Sequence, residues 1–177
     1  MKLFTKARLL PLVLTALVIL LDQASKALIV ILAPIPGRGP LYRLFGGDFI
    51  EIWHVRNKAI AFSIGQNLPD SLRFAMFIVI PILVLGLLMY YYFTSTDLNN
   101  FQCWCIAGIV GGGLGNIIDR IFRPDGVVDF ISVNLYGLLG MSRWPTFNVA
   151  DSAVVVCGIL LLINILFSEQ ERGPKHE

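Results

Sequence analysis

Charge is missing from long stretches of this chain, and that absence constrains the fold more than any residue present. Between Arg73 and Asp97 lie 23 residues without a charge, and between Asp97 and Asp119 another 21. A helix rises about 1.5 Å per residue, so about 20 apolar residues cross the roughly 30 Å of bilayer hydrocarbon. Residues 74–93 and 101–118 meet that requirement. Asp151 and Glu169 enclose 17 further uncharged residues. Joined to the four residues from Phe147, they predict a helix over 147–167 with Asp151 in its opening turns. A helix over 9–32 is long enough too, although it carries Asp22 and Lys26. The expected fold is mainly α and integral to a membrane: a four-transmembrane-helix bundle forming a single domain over residues 1–177. An even number of crossings puts both termini on one side, with the long connections 33–70 and 120–146 together on the other.

Composition agrees. The chain is 56% apolar and 15% charged, with a mean hydropathy of +0.73, against about 45–50% and 25% in soluble domains. Cytosolic enzymes and disordered chains are excluded on that ground, and a net charge of +2 offers no surface for nucleic acid. Lys2–Leu21 has the basic start and apolar run of a signal peptide. Asp22-Gln23 follows at once and no small-residue cleavage site closes the run, so a retained helix is expected. Orientation stays open on charge alone. Lys2, Lys6, Arg8, Arg172 and Lys175 lie on one side, and Arg38, Arg43, Arg56, Lys58, Arg73, Arg120, Arg123 and Arg143 on the other. A raw count puts the termini outside, whereas the basic flank of the first helix argues the reverse.

The first long connection carries two β-branched, aromatic runs, residues 49–55 and 60–64, which predict short strands and a small sheet at the membrane surface, with Trp53 at headgroup depth. The second turns at Pro124-Asp125-Gly126 and passes through a strand-like run over 127–133. It ends at Trp144-Pro145-Thr146, where Thr146 is the expected N-cap. Long connections on one side place the function there.

The polar residues at membrane depth come next. Asp22 and Lys26 sit four apart on one helical face, acid first, either as part of a site or as an ion pair fixing helix packing. Gly108/Gly112 and Gly111/Gly115 are small residues four apart, which let another backbone approach. Asn116, Asp119 and Arg120 share a face where that helix leaves the apolar run. Asp129 is flanked by apolar residues in Val127-Val128-Asp129-Phe130-Ile131, and Asp151 closes Phe147-Asn148-Val149-Ala150-Asp151. Two carboxylates brought close together cannot both ionise cheaply, so one keeps a proton while the other can take one from water. Spacing alone leaves structural hydrogen bonding, peptide-bond catalysis and ion or proton transport all open. His54 and His176 lie far apart, and Cys103, Cys105 and Cys157 lack zinc-type spacing, so neither a metal nor another cofactor is expected.

Taken in order, Gly115-Asn116-Ile117-Ile118-Asp119-Arg120, Val127-Val128-Asp129-Phe130 and Phe147-Asn148-Val149-Ala150-Asp151-Ser152 resemble the signature blocks of bacterial lipoprotein signal peptidase, also called signal peptidase II. Asp22-Gln23-x-x-Lys26 resembles a further block. The resemblance covers nearly the whole chain. It implies an aspartyl endopeptidase of the bacterial inner membrane that cuts diacylglyceryl-modified prolipoproteins just before the lipid-bearing cysteine. Both termini would lie in the cytoplasm and the site toward the outer face. Asp129 and Asp151 match the catalytic pair, while Asn57, Asn116, Asp119, Arg120, Asn148, Asp22 and Lys26 match supporting or substrate-binding positions. The implied partners are the prolipoprotein and membrane lipid, and the expected state is a monomer. One block departs from the family's Asn-x-Gly-Ala-Ala-Phe-Ser: here Ala59 and Ile60 replace Gly and the first Ala between Asn57 and Ala61-Phe62-Ser63. A small proton- or ion-coupled transporter using Asp22, Lys26 and Asp119 is the alternative reading.

Overall fold

The computed structural model describes residues 5–33, 35–58 and 69–171. Among them, four helices are long and apolar enough to cross a membrane. They are α1 (Lys6–Leu32), α2 (Ser71–Thr94), α3 (Asn100–Phe122) and α4 (Val149–Glu171). A short irregularity at Leu10 and Pro11 interrupts α1. Each expected helix is present, and α3 runs four residues beyond the expected 118, so Asp119 and Arg120 are helical.

α3 is the central helix. Its apolar window is 56% buried, against 6% in those of α2 and α4, and it packs on all three of the others. Its glycines explain how. Consecutive helical residues project about 100° apart, so Gly111, Gly112 and Gly113 point at three different neighbours. A Cβ on Gly111 would lie 3.0 Å from the Thr15 carbonyl oxygen of α1, one on Gly113 would lie 2.9 Å from Leu85 of α2, and one on Gly112 would strike the Ala150 carbonyl of α4. With hydrocarbon replacing water outside, such close approach supplies much of the attraction between helices. The outward apolar side chains, Leu83 and Leu87 of α2 and Ile159 and Leu162 of α4 among them, are more than half exposed and suit a lipid surface; Ile159 is 53% exposed.

Residues 75–79 of α2 form a π-turn. Pro81 lies just beyond. Its ring crowds the carbonyl four residues back and it lacks an N–H, and a local widening accommodates such a break. Phe77, in the middle of the turn, is buried.

Among the described residues, three antiparallel strands, β1 (Tyr42–Arg43), β2 (Ile50–Asn57) and β3 (Val127–Val133), form one sheet in the order β1-β2-β3. The expectation that the first connection alone builds this sheet needs correction, because β3 comes from the second. β3 pairs with β2 and packs Val128 and Phe130 against Ile29 of α1, and Val127 to Phe130 are all buried. The expected strand over 60–64 lies outside the described residues, as do Ala59 and Ile60. Thr146 is not the N-cap of α4. Asn148 takes that place in a capping box: its side-chain oxygen accepts from the Asp151 N–H at 2.9 Å, and its own N–H donates to Asp151 Oδ2 at 3.1 Å.

Gly112→Val tests the close α3–α4 contact. The added atoms would meet the Ala150 backbone and the Val154 side chain, so the expected loss of stability is roughly 3 kcal/mol, read as a lower midpoint for thermal unfolding in detergent. An unchanged midpoint would show that the helices are not in this register.

Candidate functional site

Local backbone geometry brings two carboxylates to one end of the bundle. Asp129 stands in the middle of β3, and Asp151 occupies the third position of α4. The sheet register pairs Asn57 with Val127 and Val55 with Asp129, so Asn57 and Asp129 are diagonal neighbours on one face. Asn57 Nδ2 donates to Asp129 Oδ2 at 2.9 Å. The close turn before β3 needs Gly126, whose φ is +100° and whose Cβ, if it had one, would run into the Asn57 carbonyl.

Asn148 joins the two acids. Its side-chain oxygen faces the Asp151 N–H, so its Nδ2 is left to donate to Asp129 Oδ1 at 2.7 Å and to Asn116 Oδ1 at 3.1 Å. Asn116 Nδ2 donates to Asp151 Oδ1 at 2.7 Å. Asp151 thus accepts on both oxygens, from the Asn116 amide and from the Asn148 backbone. Asp129 lies on the strand and is 2% exposed. Burial pushes its carboxyl from 3.8 up to about 7; the Asn57 and Asn148 hydrogen bonds and the Lys26 charge work against that rise, and the neighbouring Asp151 adds to it.

Beneath this pair lies an ionic cluster. Lys26 Nζ sits 2.8 Å from Asp22 Oδ2 and 3.0 Å from Asp119 Oδ2, with all three side chains fully buried. It donates to Asn116 Oδ1 at 3.0 Å as well. Asp119 Oδ2 also accepts the Val128 N–H at 3.1 Å, and Asp22 Oδ1 accepts the Ala150 N–H at 3.0 Å. Gln23 and Arg123 complete the cluster: Gln23 Nε2 donates to Asp22, Asp119 and the Gly115 carbonyl, and Arg123 Nε is 3.3 Å from Asp119 Oδ1.

Eight of the nine expected site residues therefore lie in one connected region. Asn57, Asn116, Asn148, Asp129 and Asp151 form the hydrogen-bonded group, and Asp22, Lys26 and Asp119 lie behind it. Arg120 makes a different contact. Its guanidinium lies 5.8 Å from the centre of the Phe77 ring and is coupled electrostatically to Asp151, Asp129 and Asp119. Gln23 and Arg123 were not foreseen. Arg123 had a signal, since it stands four residues after Asp119 on the same helix, and Gln23 had one in its place within the Asp22-Gln23-x-x-Lys26 block. Among the described residues, no group of three or more His, Cys, Asp or Glu side chains is arranged to hold a metal ion.

Residues 14–167 match the family described as signal peptidase (SPase) II. A lipoprotein signal peptidase of Treponema pallidum (strain Nichols) is 41% identical over 166 residues, covering 94% of this chain and 88% of that protein. One from Treponema denticola is 45% identical over 157 residues, covering 89% and 88%. A solved structure of a bacterial membrane enzyme, determined by the in meso method, superposes with a TM-score of 0.76 at 28% identity, covering 94% of this chain and 93% of its own. With a family match spanning most of its length and relatives this similar, the chain belongs to the signal peptidase II family.

Proposed function

We propose that this chain removes the signal peptide from diacylglyceryl-modified prolipoproteins, cutting just before the lipid-bearing cysteine, with Asp129 and Asp151 as its catalytic pair. The enzyme is an aspartic endopeptidase of the membrane. The observation that carries the reading is the Asp129–Asn148–Asp151 arrangement, in a chain whose relatives are named for this activity. The transporter reading finds no support: the family is a peptidase family, and Asp22, Lys26 and Asp119 are fully buried and occupied with one another.

The division of labour follows from the hydrogen bonds. Asp151 accepts on both oxygens and stands in the first turn of α4, where backbone N–H groups gather. It takes the proton of the attacking water. Asp129, held up to about 7 by burial, keeps its proton and presents it to the scissile carbonyl, whose oxygen gains negative charge as water adds. The tetrahedral adduct then collapses when the leaving amine receives the proton that Asp151 took. No covalent intermediate with the enzyme is needed. Arg120, coupled to both acids, serves the substrate side of the pair.

In this reading the protein lies in the bacterial inner membrane with both termini cytoplasmic, so the sheet and the carboxylate pair face outward. The lipid of the substrate enters from the bilayer among the helices. The proposed working state is a monomer, with all the proposed catalytic groups on one chain.

Purified protein incubated with a lipidated prolipoprotein should release the signal peptide, and the unlipidated precursor should remain intact. Asp129→Asn and Asp151→Asn should each lower kcat roughly 10³-fold or more with folding preserved. Substantial turnover by either variant would remove the pair from the mechanism. The pH dependence has a definite sign. Asp129 must be protonated, so kcat/KM should fall as pH rises through about 7. Asn57 lowers that carboxyl by donating to it, so Asn57→Ala should move the alkaline limb to higher pH. A limb moving to lower pH would contradict the assignment.

A further inference from the structure

We infer that Lys26 is a positioning residue for the carboxylate pair, acting through Asn116, Asp22 and Asp119. This rests on the proposed catalytic roles of Asp129 and Asp151. An ammonium group has three N–H donors and cannot accept. All three are accounted for: Asp22 Oδ2 at 2.8 Å, Asp119 Oδ2 at 3.0 Å and Asn116 Oδ1 at 3.0 Å.

The donor-only character of lysine decides which way the Asn116 amide faces. The atom turned to Lys26 must be oxygen, which leaves Nδ2 for Asp151 Oδ1 at 2.7 Å. Asn148 Nδ2 donates to the same Asn116 oxygen at 3.1 Å, and it agrees with this direction. With the amide reversed, Asp151 would meet an oxygen in place of a donor. A cation on the oxygen of an amide also polarises it, so the opposite N–H becomes the stronger donor.

The other two arms act on backbone. Asp119 holds the Val128 N–H, one residue before Asp129, and Asp22 holds the Ala150 N–H, one residue before Asp151. Lys26 therefore fixes the chain next to each member of the pair and orients the side chain that donates to one of them. The ionisable groups around it are Asp22 on α1, Asp119, Arg120 and Arg123 on α3, Asp129 on β3 and Asp151 on α4. Its own charge reaches Asp129.

The test is Lys26→Met, paired with a charge-balanced double variant, Asp22→Asn with Lys26→Met, in case the lone carboxylates of the single variant prevent folding. Prolipoprotein cleavage is measured against pH, with folding checked by thermal unfolding. Where it folds, the single variant should lose 10- to 100-fold in kcat, on the order of one charge-assisted contact. The alkaline limb of its pH–rate profile, which Asp129 sets, should move to higher pH by about one unit, because that carboxyl loses a cation that lowers it. The double variant should keep a shift in the same direction. A limb at its wild-type position with only the amplitude lowered would make Lys26 a purely structural residue. A shift in the single variant that vanishes in the double would assign the effect to net charge and overturn the oriented amide. Wild-type protein that fails to cleave would defeat the proposed function instead, so the two failures are distinguishable.

Discussion

The structure depends on one buried ammonium group and the three acceptors around it. Lys26 is fully buried inside a helix bundle, where an unpaired charge would cost several kcal/mol. Two carboxylates and an amide oxygen surround it. Those acceptors belong to two helices, α1 and α3, so meeting the needs of one charge sets the depth at which they pack. The second acid is compensated in turn by Arg123, at the solvent end of the cluster. Asp22 and Asp119 then reach the backbones of α4 and β3. Helix packing and site assembly are thus the same event.

The glycines of α3 make that arrangement reachable. Gly115 lies where a Cβ would come within 2.8 Å of Asp22 Oδ2, so a side chain there would push α1 away and strip Lys26 of a partner. Gly112 gives the Ala150 segment of α4 the same access. Short polar side chains such as aspartate and asparagine can bridge helices only when the backbones are this close. The small residues and the polar residues of α3 are two halves of one requirement: the first bring the neighbours in, and the second hold them.

Much of this was legible in the sequence. The four crossings followed from the spacing of charge, and the strand over 127–133 from its β-branched run. The position of Asp151 in an opening turn followed from where the apolar run began. What the sequence hid was pairing across distance. Nothing in residues 127–133 alone says that they join the first connection, because an apolar strand states that it must be covered and not by what. The N-cap was misplaced for a related reason. Thr146 is a good cap by type, but Phe147 pairs with Ile131 of β3, which keeps the chain extended until Asn148. Asp22 and Lys26 were readable as a pair from their spacing of four, whereas their link through Asn116 to Asp151 needed the fold. Gln23 joins the cluster only because α1 lies against α3 at Gly115.

Two aspartates of identical chemistry come to differ because they stand on different kinds of backbone. A strand residue buried on both faces has already given its N–H to the ladder or its neighbour, so Asp129 must rely on side-chain donors, and burial dominates its behaviour. The third residue of a helix faces unpaired N–H groups, and Asp151 closes a capping box with one of them. Asn148 belongs to both settings. As the N-cap it is obliged to turn its oxygen toward the Asp151 N–H, and its amide hydrogens are thereby committed to Asp129. The geometry that ends one connection and starts α4 is therefore enough to make the two acids unequal, and unequal acids are what proton transfer in both directions requires.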